Sequence, residues 1–177
     1  MILSGRAWKF GHNLRSTHFF PGKYDPLSRA GKFEELAQHV LEETDPGFIQ
    51  RVKPGDVLLV GDAFGTGKHL DGPINALKLL GIAAVLGKGF SASWERDSIN
   101  LGLPSLAYPE LYDSVNDGDR IELDLRGTLA RNLTSGQAVP VRPVSPGLLE
   151  ILAAGGIAGY TVRCLGLSET DRASRAH

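Results

Sequence analysis

The chain has 177 residues, 42% of them hydrophobic and 22% charged, enough to bury one sizeable core and too few for two full domains. A formal charge of −1 and a pI near 6.5 give no global pull toward nucleic acid or an anionic membrane, so neither is expected as a partner. The single cysteine, Cys164, excludes an internal disulfide and any metal or iron–sulfur site built from several thiolates of this chain.

The opening "MILSGRAWKFGHN" has no apolar signal-like run, and no later segment is long enough to span a bilayer, so a cytoplasmic protein is expected. "SGRAWKFG" alternates loosely and predicts a first strand ending at Gly11. His12 to Arg29, broken by Pro21, Gly22 and Pro26, reads as an irregular stretch longer than a simple connection, and loops of that length tend to be functional. From Lys32 to Thr44, Phe33, Leu36, Ala37, Val40 and Leu41 recur at threes and fours. That spacing predicts one amphipathic helix with Glu34, Glu35, Gln38 and Glu42 facing water.

"GDVLLVG", residues 55–61, predicts a buried strand bracketed by glycine. Pro73 suits a first helical residue and Gly81 the stop, and "IAAVLG" from Ile82 to Gly87 then reads as a second strand. Together these make a β-turn-α-β unit, parallel by the usual handedness. Ser91 to Gly102 predicts a capped helix and "SLAYP" a third short strand. Beyond Asn116-Asp117-Gly118, "RIELDL" alternates as a strand, a hairpin is expected around Ser135-Gly136, and Ser145, Pro146 and Gly155 frame a last helix. The expected organisation is one domain over residues 1–167 with a loose polar tail over 168–177.

Between the 55–61 strand and the helix at Pro73 lies "VGDAFGTGKH". A nucleotide-phosphate loop needs a glycine, four further residues, then Gly-Lys followed by Ser or Thr; Asp62 stands at the first position and His69 at the last, so two fixed requirements fail. What survives is a set of N–H groups at a helix start beside Lys68, a seat for a carboxylate as much as a phosphate. The plainer alternative is a tight turn with a solvated lysine.

Several stretches together resemble one family, the small subunit of 3-isopropylmalate dehydratase and of homoaconitase, equivalent to the mobile swivel domain of aconitase. They are "SGRAWKFGHN", "PGKYDPL", "VKPGDVLLVG", "LGIAAVLGKGFSASWERDSINLGLPSL" and "ILAAGGIAGY", in family order from Gly5 to about Tyr160. The resemblance implies an α/β fold: a swivel-like β/β/α domain with a mixed, partly parallel central sheet flanked by helices. It also implies a large partner subunit that holds a [4Fe-4S] cluster, and a small hydroxy-carboxylate substrate.

In that family the turn reads Gly-Cys-Gly-Ser-Ser-Arg-Glu-His, with a serine as base and the arginine gripping a substrate carboxylate. Aligning on Gly65 puts Thr66 on the base and Gly67, Lys68 and His69 on the next three positions, with one extra residue before Pro73. An ungapped alignment from Pro73 instead leaves no hydroxyl at either serine. We adopt the first, with Thr66 as candidate base and Gly65, Gly67, Lys68 and His69 as candidate substrate-binding residues. Lysine keeps the charge of arginine and loses its two-pronged grip. Upstream, the family's Asn-x-Asp-Thr-Asp is replaced by Asn13-Leu14-Arg15-Ser16-Thr17-His18, which makes Arg15 either a second carboxylate grip or a surface arginine. Lys23 and Tyr24 stand at the family's Arg-Tyr pair and complete the candidate set. Two functions follow: a hydro-lyase small subunit active only with its large partner, or a decayed swivel domain kept as a binding or regulatory partner.

Overall fold

Val57-Leu58-Leu59-Val60 is an unbroken apolar run, and all four residues are buried, the pattern of a strand covered on both faces. In the computed structural model, which describes residues 1–67 and 69–166, this strand, β2, lies near the middle of a seven-stranded sheet. Lys68 and the expected tail over 168–177 lie outside the described residues. The remaining strands are β1 (Ile2–Lys9), β3 (Ala84–Gly87), β4 (Ser105–Ala107), β5 (Arg120–Asp124), β6 (Leu129–Asn132) and β7 (Ala138–Pro140), in the order β4-β3-β2-β1-β5-β6-β7.

The sheet is mixed, and β1 is where it changes character. Its last residues, Ala7 to Lys9, pair parallel with Val57 to Leu59, while Ile2 to Arg6 pair antiparallel with Asp124 to Arg120. β2, β3 and β4 continue in parallel, and β5, β6 and β7 form the antiparallel half. Alternate residues feed two cores. Trp8, Leu58, Val60 and Val85 pack on one face with Phe64, Ile74, Leu77 and Trp94; Ala7, Val57, Leu59 and Leu86 pack on the other with Leu111, Tyr112 and Leu149.

One buried carboxylate joins the first two strands. Asp56 accepts hydrogen bonds from the Arg6 amide at 3.1 Å, Trp8 Nε1 at 2.9 Å and the Lys53 amide at 2.9 Å. Burial of an acid is tolerable because donors meet its oxygens.

The predicted β-turn-α-β unit is present: helix α5 (Asp71–Leu79) connects β2 to β3. It starts two residues before Pro73, which costs nothing because a proline in the first turn gives up an N–H that has no intrahelical partner. Helix α6 (Ala92–Asn100) follows, with Ser91 Oγ accepting from the Trp94 amide at 3.2 Å as an N-cap. The hairpin at Ser135-Gly136 is β6–β7. Helix α8 (Pro146–Ala153) has its proline in the first turn, although the Ser145 side chain makes no capping bond.

Two expectations are corrected. The stretch from His12 to Arg29 contains helix α1 (Ser16–Phe19), a 3₁₀ turn (Gly22–Tyr24) and helix α2 (Asp25–Arg29), elements too short for periodicity to reveal. The single helix over 32–44 ends early: α3 covers Phe33–Ala37, and Leu41 turns to a φ of +57° with its amide donating to Phe19 O at 2.9 Å. The apolar stripe is nonetheless buried, since Leu36, Ala37, Val40 and Leu41 all enter the core. Helices α4 (Phe48–Arg51), α7 (Pro109–Ser114) and α9 (Ile157–Cys164) complete the described elements.

Candidate functional site

In a parallel sheet the loops that leave the carboxyl ends of neighbouring strands face the same way, which makes that edge the natural place for a ligand. Here the loops after β1, β2 and β3 converge on the glycine-rich turn. The Gly65 amide donates to Leu14 O at 2.9 Å and the Ser16 amide to Thr66 O at 3.0 Å, so Arg15 and Thr66 form a short parallel bridge. On the other side the Phe64 amide donates to Gly89 O at 3.1 Å and the Ser91 amide to Phe64 O at 2.9 Å. Ser91 Oγ adds a bond to Gly65 O at 2.8 Å. Thr66 is thereby held between two flanking segments, with its residue half-buried.

The turn's backbone is unusual. Ala63, Gly65, Gly67 and His69 have φ of +54°, +75°, +142° and +55°, values that L side chains rarely adopt. An aromatic floor holds it in this shape. Phe64 meets Trp94 edge-on at 4.7 Å, Phe19 at 5.3 Å and Phe90 at 5.8 Å between centroids. A Cβ at Gly65 would stand 2.6 Å from the Trp94 ring. Beyond His69 the chain enters α5, whose first amides have no carbonyl one turn earlier to bond and present positive partial charge toward the turn.

A cavity of about 70 Å³ opens beside it, lined by Ser16, Tyr24, Asp25, Ser28, His69 and Pro73 among others. Two parts of the expected site therefore meet: His69 comes from the turn and Tyr24 from the upstream loop. Arg15 joins them through its backbone bridge to Thr66 and is exposed; its amide donates to His18 Nδ1 at 2.8 Å. Lys68, the expected clamp, lies outside the described residues.

Lys23 and Tyr24 are engaged by a residue that periodicity assigned to solvent. Glu42 accepts from Lys23 Nζ at 3.0 Å and from Tyr24 Oη at 2.8 and 3.0 Å, and its Oε2 lies 2.7 Å from His39 Nδ1. The rings of Tyr24 and His39 stack at 4.0 Å. These bonds, that from Lys23 foremost, then His39 and Tyr24, lower the Glu42 carboxyl from 4.5 to about 2. Lys23 is raised in turn, chiefly by Glu42. No local spacing links residue 24 to residue 42, so the cluster leaves no mark in the hydrophobic pattern.

A carboxyl whose pKa falls on folding stabilises the fold above its unfolded value, and the contribution disappears as pH drops through the folded value. The thermal midpoint of wild type should therefore exceed that of Glu42→Gln by a constant margin above pH 4.5, and the margin should shrink as pH approaches about 2. Circular dichroism melts across that window check it; a margin independent of pH contradicts the cluster.

Among the described residues, no group of three or more His, Cys, Asp or Glu side chains is placed to hold a metal ion, and no helix is long and apolar enough to cross a membrane.

No protein-family model matches the chain. It is 36% identical over 169 residues to the 3-isopropylmalate dehydratase small subunit of Thermodesulfovibrio yellowstonii, covering 96% of this chain and 99% of that one. It is 39% identical over 160 residues to 3-isopropylmalate dehydratase small subunit 2 of Archaeoglobus fulgidus, covering 90% and 94%. The homoaconitase small subunit of Methanothermobacter thermautotrophicus shares 34% over 164 residues, 93% of each chain. Among solved structures, a 3-isopropylmalate dehydratase crystal structure from Methanocaldococcus jannaschii superposes with a TM-score of 0.84 at 33% identity, covering 93% of this chain and 96% of that one.

Proposed function

The chain belongs to the family of 3-isopropylmalate dehydratase and homoaconitase small subunits, and from that premise we propose that it is the small subunit of a two-chain hydro-lyase acting on a small hydroxy-carboxylate. Residues 1–167 form its one swivel-like domain, the complex works in the cytoplasm, and the reaction serves leucine or related amino-acid biosynthesis. The larger partner carries a [4Fe-4S] cluster; the described residues of this chain offer no ligand set that fits one, and Cys164 stands alone and exposed. Bound to the partner, such a cluster supplies a Lewis acid for the substrate's hydroxyl and carboxylate.

This chain supplies the base and part of the acid-binding surface. Thr66 Oγ1 takes the proton from the carbon next to the one bearing the hydroxyl; the C–H electrons become the new C=C bond, and the hydroxyl departs with the C–O pair, taking a proton from an acid group of the completed site to leave as water. Reversal at the neighbouring carbon gives the isomer. A threonine acts as base only when its alkoxide is stabilised, and the amides entering α5 together with the Lys68 ammonium provide that field. Arg15, Lys68 and the turn residues Gly65, Gly67 and His69 orient the carboxylates, with Lys23 at the edge of the acid-binding surface, while Tyr24, tied with Lys23 to Glu42, lines the neighbouring cavity.

The observation that carries this reading is the convergence of the loops after three parallel strands on Thr66. Co-purification with a cluster-bearing large subunit and assay on 3-isopropylmalate-, homoaconitate- and citramalate-type acids tests it. The chain alone should be inactive and the complex should turn over at least one of these acids. A folded, cluster-loaded complex inert to all of them overturns the proposal.

A further inference from the structure

Gly67 is a glycine for a reason that lies far back along the chain, at Ser16. A Cβ built on it would lie 2.0 Å from Ser16 Oγ and 2.9 Å from Ser16 Cβ. The Ser16 hydroxyl thus occupies the space in which a side chain of residue 67 would begin, immediately after Thr66 in the turn. Main-chain bonds fix it there: the Ser16 amide donates to Thr66 O at 3.0 Å and the Gly65 amide to Leu14 O at 2.9 Å. Ser16 is half-buried and lines the cavity that Tyr24 and His69 share.

Ser28 Oγ, on the wall of the same cavity, is buried without a hydrogen-bond partner among the described residues, but several other serine hydroxyls are spent on structure. Those of Ser91, Ser98 and Ser114 donate to the carbonyls of Gly65, Glu95 and Glu110. Ser16 Oγ has no such carbonyl among the described residues, although its amide is tied to Thr66 O.

We propose that Ser16 is a substrate-contacting residue, whose hydroxyl stands beside Thr66 and donates a hydrogen bond to a carboxylate of the hydroxy-acid. The inference rests on the hydro-lyase reading of the turn. It makes the site a composite of two segments, 14–16 and 65–67, and it couples residue types at positions distant in sequence: glycine at 67 leaves room for the hydroxyl that serine brings at 16.

Ser16→Ala removes one oxygen while retaining Cβ and the main-chain bridge to Thr66. Assembled with the large subunit, this variant should show kcat/KM lowered about 10- to 100-fold, the range for a hydrogen bond to a charged group, with most of the change in KM. Its thermal midpoint and its affinity for the large subunit should match wild type. Ser16→Thr, which keeps a hydroxyl, should recover part of the loss in KM. Unchanged KM and kcat in Ser16→Ala overturn the inference, as does a loss that merely follows a lower thermal midpoint or weaker assembly. A wild-type complex inert to every hydroxy-acid tested would overturn the underlying reading as well, so the two failures are distinguishable.

Discussion

Replacing Thr66 by alanine should lower the turnover of the assembled enzyme by about a thousandfold, within the range attributable to a positioned general base. The expectation follows from where the residue stands. Its carbonyl is bonded to the Ser16 amide, the preceding residue is anchored to Leu14 and Ser91, and its own residue remains half-buried rather than sealed. Alanine keeps all those main-chain bonds and removes the hydroxyl, so stability should change little while the chemistry stops. Thr66→Ser restores the hydroxyl and should stay within about tenfold of wild type, the lost methyl mattering less than the oxygen. Steady-state kinetics on complexes matched for cluster content measure both. Near-wild-type turnover in Thr66→Ala would remove the residue from the chemistry.

Gly65→Ala should have the largest effect on stability. At a φ of +75° an L residue costs about 1–2 kcal/mol, and the new Cβ would stand 2.6 Å from buried Trp94, adding about 1–3 kcal/mol of overpacking. A combined loss of about 3 kcal/mol corresponds to a thermal midpoint lower by about 10 °C for a chain of this length. Gly136→Ala provides the control. Its φ is +79°, nearly the same, but a Cβ there meets nothing within 4 Å, so only the backbone part of the penalty remains. Equal destabilisation of the two variants would show that the aromatic floor does not constrain the turn.

The parallel half of the sheet was legible because β2 and β3 are short apolar runs closed by glycine, and because Ser91 announces α6 with a cap the structure also contains. The region from residue 12 to 44 was less so. Helices of four or five residues carry no measurable period, and Leu41 breaks the 32–44 helix at a positive φ while still burying its side chain. Hydrophobic spacing reports burial more faithfully than it reports backbone shape. At the site, the local pattern marked the turn, but contacts that join distant segments left no trace in it. Periodicity places Glu42 in solvent, whereas it binds Lys23 and Tyr24; Ser16 comes to stand against Gly67 only through the fold.

If the turn of this chain provides the proton-abstracting group for a site completed by another subunit, a complex that captures a disabled turn must fall silent. A competition titration tests it most directly: a fixed amount of cluster-loaded large subunit and wild-type chain receives increasing Thr66→Ala chain, with turnover and complex composition followed together. Activity should fall in proportion to the fraction of large subunit captured by the variant. Constant activity while the variant displaces wild type from the complex would contradict it.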